Sequence, residues 1–281
     1  MTHLLRSDFY KLRKAKYFRV CLIITILLAI GTVFLLDFTY RIAGDQMASQ
    51  MASQQDALSE SGVSVSVEGI AGSYEDLGAA GQLLTFFAGN TTLILAVLVS
   101  LFVGSEFNHG TMKLIASRQY NRLTIYSSKL IAAMAAGIFL TLIYVLFSFL
   151  TASFVWGIGD APSQGWARTI GAAGLELFLL CAFLSLFVMF SFLIRQSGGA
   201  LALNICFLEF VSLFAILGEM LVKKLTGKEI VISNYLLDTN MNALLGDLHS
   251  DIVLRALIVG ICFFAVSFLI GAASFQKRDI K

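Results

Sequence analysis

The chain has 281 residues, 58% of them hydrophobic and only 14% charged, with a formal net charge of +2 and a mean hydropathy of +0.83. Soluble domains carry about 25% charged residues, so this composition excludes a soluble domain and predicts an all-α integral membrane protein forming a single transmembrane domain. With so small a net charge, what matters is where the charges fall.

Residues 1–17 place Leu5, Phe9 and Leu12 at i, i+4 and i+7, with the basic residues mostly off that stripe. The spacing predicts a basic amphipathic helix lying in the inner headgroup layer. Lys16 falls on the stripe and would have to snorkel. Residues 18–38 form a first apolar span; no small-residue cleavage site follows it, so it is expected to be retained rather than removed as a signal. Residues 39–80 are predicted to be an extracellular loop. Seven acids against one Arg fall in 37–80, and the repeat QMASQMASQQ from Gln46 reads as either a polar helix or a loose loop.

A second span covers 81–105. The polar stretch EFNHGTMKLIASRQYNRL follows at 106–123. Glu106 leaves the span, Gly110 permits a sharp turn, and Thr111 is placed to cap a short helix over 112–117. Asn121 is placed to cap the next helix, which runs through Arg122 and Lys129 into a third span at 130–156. The exposed side of the short helix is expected to show apolar Met112 and Ile115 beside basic Lys113 and Arg118, a composition suited to docking on a soluble partner.

Trp156 and Trp166 bracket the next loop as an aromatic belt. The fourth span, 169–194, contains Glu176 one turn after Gly171, Ala172, Ala173 and Gly174, small residues that either admit a close neighbour or pack ordinarily. Ser197-Gly198-Gly199 reads as a tight turn. Span five, 197–218, contains Glu209 near its midpoint. Residues 219–251 form a second extracellular loop, apolar enough to lie at the outer interface, and span six covers 255–276. Cys21, Cys181, Cys206 and Cys262 all fall in apolar runs and read as small buried hydrophobes.

Six spans put both termini on one side. Fourteen Lys and Arg flank the spans on that side and five on the other, with Arg255 at the mouth of span six. The positive-inside bias makes the first side cytoplasmic, in the plasma membrane.

No metal site is expected: His3, His109 and His249 form no His-Glu-x-x-His helix. Gly227-Lys228 lacks the glycines of a phosphate-binding loop, so no ATPase is expected within the chain and it is not expected to be an enzyme. An intramembrane carboxylate costs several kcal/mol. Glu176 and Glu209 are therefore expected to face the bundle interior, to be protonated or to find a partner such as Asn204. The functional alternative makes Glu176, Asn204 and Glu209 a substrate pathway or proton relay.

The order of these parts resembles the membrane subunit of type-2 ATP-binding-cassette exporters, the ABC-2 permease family. Six spans, a basic interfacial helix, and the pattern Glu106, Gly110, Thr111, Lys113, Arg118, Arg122 and Lys129 carry the likeness, together with the tail residues Phe275, Arg278 and Asp279. Leu123 follows Arg122, and the two arginines stand four apart. The resemblance implies a dimer of permease copies or homologues, with two cassette ATPase subunits beneath it that hold the ATP and Mg; the chain itself would hold no cofactor and bind no nucleic acid. It also implies that 106–123 is the coupling helix, through Glu106, Gly110, Thr111, Lys113, Arg118 and Arg122, and that the Leu5–Phe9–Leu12 helix touches the ATPase. The cargo would be an amphiphile: a peptide, an antibiotic or a lipid-like molecule. The long acidic loop after span one is similar to the peptide-toxin, antibiotic-resistance and immunity branch. Two other readings stand beside export. One is a secondary transporter or channel using Glu209 and Glu176. The other is an immunity or sensor permease that binds peptide outside without moving it.

Overall fold

The computed structural model describes residues 2–60, 77–88, 91–117, 121–159, 162, 165–226, 231–246 and 249–277, with backbone alone for 2, 43–60, 116 and 226. Among these residues there are helices and no strand. In chain order they are α1 (Thr2–Lys14), α2 (Lys16–Glu60), α3 (Leu83–Ala88), α4 (Thr91–Asn108), α5 (Thr111–Ala116), α6 (Arg122–Val155), α7 (Trp166–Ile194), α8 (Ser197–Thr226), α9 (Leu237–Ala243) and α10 (Ser250–Lys277), with a 3-10 turn at Ser233–Tyr235 before α9. Six helical stretches are long and apolar enough to cross a membrane: Lys16–Ile42, Leu83–Asn108, Arg122–Val155, Trp166–Ile194, Ser197–Leu225 and Ser250–Lys277. Each has at least 26 residues. At about 1.5 Å per residue that exceeds a hydrocarbon core of about 30 Å. This is the pattern of a multi-pass membrane protein.

α4 and α7 form the centre, with 69% and 67% of their most apolar windows buried, against 11% for α8. α10 lies along α7, α8 along α4, and α2 along α6. The outer helices turn Leu27, Leu35, Phe214, Leu221, Leu257 and Leu269 outward, a surface that suits lipid. At one end of the bundle Phe192 sits among three rings, with centroids 5.6 Å from Phe107, 4.8 Å from Tyr126 and 4.9 Å from Phe275. These edge-on contacts tie α4, α6, α7 and α10 together.

Several boundaries differ from the sequence reading. The helix that carries the first span does not stop at 38. α2 continues to Glu60 through the Met-Ala-Ser-Gln repeat, because nothing between Asp45 and Glu60 breaks a helix. The end of the supposed loop at 39–80 is buried: Ala79 and Ala80 donate backbone hydrogen bonds to the Gly157 and Ile158 carbonyls at 3.2 and 3.0 Å. α8 runs eight residues beyond 218. Leu237 and Leu244, placed at an interface by the sequence, are buried in the bundle core together with Met241. Arg195 and Gln196 make the turn before α8, Arg195 at φ 59, and Ser197-Gly198-Gly199 opens the helix instead. Gly171 and Gly174 meet nothing within 4 Å, so no other helix of the chain packs closely against them. The tight approaches are elsewhere: the Tyr126 ring occupies the place where a side chain at Gly271 would stand, and Ser197 does the same at Gly104. Cys21 is buried, but Cys206 and Cys262 are on the exposed apolar surface. Trp156 donates from Nε1 to Asp37 Oδ1 at 2.9 Å, a specific tie to α2. Trp166 remains about half exposed.

Candidate functional site

At the end of the bundle that carries α5, three helices bring four charges together. Asp8 on α1 and Lys129 on α6 are 1% and 0% exposed. Lys129 Nζ donates to Asp8 Oδ1 and to Glu106 Oε1 of α4, both at 2.6 Å. Lys11 Nζ, half-exposed, donates to the same Glu106 oxygen at 3.0 Å. Ser128 Oγ donates to Asp8 Oδ2 at 2.8 Å, and Lys129 Nζ lies 4.8 Å from the centre of the Phe102 ring. The node is electrically balanced, two ammonium groups against two carboxylates. Burying these ions has a desolvation cost that their attraction offsets only while every member is present. The node therefore specifies how α1, α4 and α6 meet more than it stabilises them.

The sequence of α1 explains how Asp8 arrives there. Leu4, Asp8 and Leu12 are the buried positions, at i, i+4 and i+8. Of the predicted Leu5–Phe9–Leu12 stripe, Leu12 is buried against the bundle, Leu5 is half-buried and Phe9 is 42% exposed. Lys16 starts α2 and is exposed. Sequence reasoning missed Asp8. The available signal was a single acid in an otherwise basic segment, spaced four residues from Leu4 and from Leu12.

α5 hangs from this node. Gly110, at φ 67, sits before its first residue, and this left-handed geometry is open to glycine without strain. Thr111 does not cap the helix as predicted; its hydroxyl donates back to the Glu106 carbonyl at 3.2 Å. Asn121 does cap α6, its side chain accepting from Leu123 N. Met112 is fully buried, contrary to its expected exposure, and Ile115 is half-buried against the core. The outward face is Lys113, Leu114 and Ser117. A groove of about 350 Å³ runs between α5 and α1, lined by His3, Ser7, Lys11, Thr111, Leu114 and Ile115 among others. Arg122 Nη1 donates to the Phe275 and Gln276 carbonyls, 3.3 and 3.0 Å away, at the C-terminal end of α10. This favourable cation-to-carbonyl arrangement occupies a residue the sequence assigned to a partner. Arg118, and the tail residues Arg278 and Asp279, lie outside the described residues.

The three intramembrane polar residues do not form one group. Glu176 is 1% exposed, and neither of its carboxylate oxygens has a hydrogen-bond partner among the described residues. Asn204 is buried but donates to Ser100 Oγ of α4 at 2.8 Å, away from the role of partner to an acid. Glu209 is exposed on α8, where it lines a cavity of about 430 Å³ together with Asp238 of α9. Asp238 was not foreseen; it stands in the segment read as a loop. Burial, and then the Glu209 charge, hold the Asp238 carboxyl above the usual carboxylate range.

A family model described as "Protein of unknown function (DUF2705)" matches residues 45–281, most of the chain, and the chain belongs to that family. No curated protein matches it.

Proposed function

We propose that this member of the DUF2705 family is the permease subunit of an ATP-driven exporter, moved by a cassette ATPase on a separate chain. The observation that carries the reading is the Asp8–Lys129–Glu106–Lys11 node beneath α5. A short helix with an exposed Lys113 and Leu114 can receive a push from a soluble subunit. The node passes that push to α1, α4 and α6 together, because Glu106 and Lys129 are fixed to each other and to Asp8. The basic excess around this end makes it the cytoplasmic side in the plasma membrane. Two ATPases would dock there, one beneath each of two permease copies or homologues, and would hold the ATP and Mg. The cargo is an amphiphile, taken from the cell or the membrane to the outside.

Inverted vesicles containing the chain and its ATPase test this. ATP-dependent uptake of an amphiphile is expected, and Glu106→Ala is expected to reduce it at least tenfold in correctly inserted protein. Full transport by the chain alone, without nucleotide, rejects the reading. A second reading, gradient-driven transport, draws on the unpartnered Glu176. It requires that a proton gradient drive flux and that Glu176→Gln abolish it.

A further inference from the structure

The cavity of about 430 Å³ is walled by Leu28, Phe183, Phe207 and Phe263 on four different helices, and among the described residues Glu209 and Asp238 are the ionisable side chains in its lining. Its volume is in the range of about 300–1,000 Å³ that accommodates a single small ligand. We propose that this cavity binds the cationic head of an amphiphile, an ammonium or guanidinium group on an apolar body, with Glu209 and Asp238 as its counter-charges. The inference rests on the export reading and deepens it by naming the chemical class of the cargo.

Three independent features lead there. First, two carboxylates share one cavity, and among the described residues no Lys, Arg or His lines it to offset them. The nearby Arg255 donates from Nε to Asn240 Oδ1 at 3.1 Å. A cation from outside the chain would satisfy both acids. Second, Glu176 stands seven residues before the wall residue Phe183, on the same face of α7. It is buried with both oxygens unpartnered among the described residues. A buried carboxyl group without a partner is costly, so this face of α7 also leaves an acid unmatched. Third, the walls discriminate between kinds of cation. Among the described residues no three acids, histidines or cysteines gather closely enough to hold a metal ion. The three phenylalanine rings offer instead the π faces and apolar contact that suit an organic cation.

Equilibrium binding to the full chain in nanodiscs of zwitterionic lipid tests the site. The probe is radiolabelled dodecyltrimethylammonium, with dodecyl sulfate as the anionic control of equal chain length. Saturable binding of the ammonium is expected, weakened about tenfold (roughly 1.4 kcal/mol) by Glu209→Gln and further by Glu209→Gln/Asp238→Asn, with no saturable binding of the sulfate. Glu209→Gln alters an exposed side chain, so its gel-filtration profile should match the wild type. Equal ammonium binding by wild type and the double variant overturns the proposal, as does saturable binding of the sulfate. The assay uses neither nucleotide nor a second protein. A negative result removes this site and leaves the export reading to its own test.

Discussion

Lys129 is held by two carboxylates at 2.6 Å with no exposed side-chain surface, so its charge has no solvent to fall back on. Lys129→Met should leave Asp8 as a buried acid without a counter-ion and Glu106 with Lys11 alone, and cost about 3–5 kcal/mol, read as a lowered thermal midpoint in detergent. Adding Asp8→Asn and Glu106→Gln to that variant should recover part of the loss, since members of one network do not act additively. A further drop on adding them would show that the node is not the unit described. Glu106 and Lys129 stand out in the sequence as charges bordering apolar runs. Asp8 was not legible in the same way, because its partner lies 121 residues further along the chain.

α5 separates two kinds of side chain within six residues. Met112 is fully buried, so Met112→Ala should cost about 2–5 kcal/mol through the cavity it leaves. Lys113 points outward, so Lys113→Glu should leave the thermal midpoint within about 0.5 kcal/mol of wild type. The same variant should still lower ATP-driven transport; unchanged transport would remove α5 from the coupling role. Helix contacts make a similar distinction among glycines. Gly271→Val should collide with the Tyr126 ring and destabilise by about 1–3 kcal/mol, whereas Gly171→Ala, with open space around it, should be tolerated. Composition marked 171–174 as the small-residue segment. Which glycine meets a neighbour depends on helix rotation, and that is set by the partner helix, not by the local string.

Across the whole molecule, the topology expected from charge asymmetry is open to direct measurement. In a cysteine-free background, Ser117→Cys should react with a membrane-impermeant maleimide only from the cytoplasmic face and Trp166→Cys only from the opposite one. Labelling of both from one side would undo the proposed orientation. The six apolar stretches, their order and the turn at Gly110 were determined by the sequence alone. Spanning helices satisfy their own backbone hydrogen bonds, so length and hydropathy suffice to define them. Only the tertiary structure decided that the 39–60 segment extends α2, that Leu4, Asp8 and Leu12 form the buried face of α1, and that Asp238 joins Glu209 at one cavity. Those facts depend on which side of each helix meets which neighbour across long sequence separations, and apolar residues on every side of a membrane helix leave no local pattern to announce it.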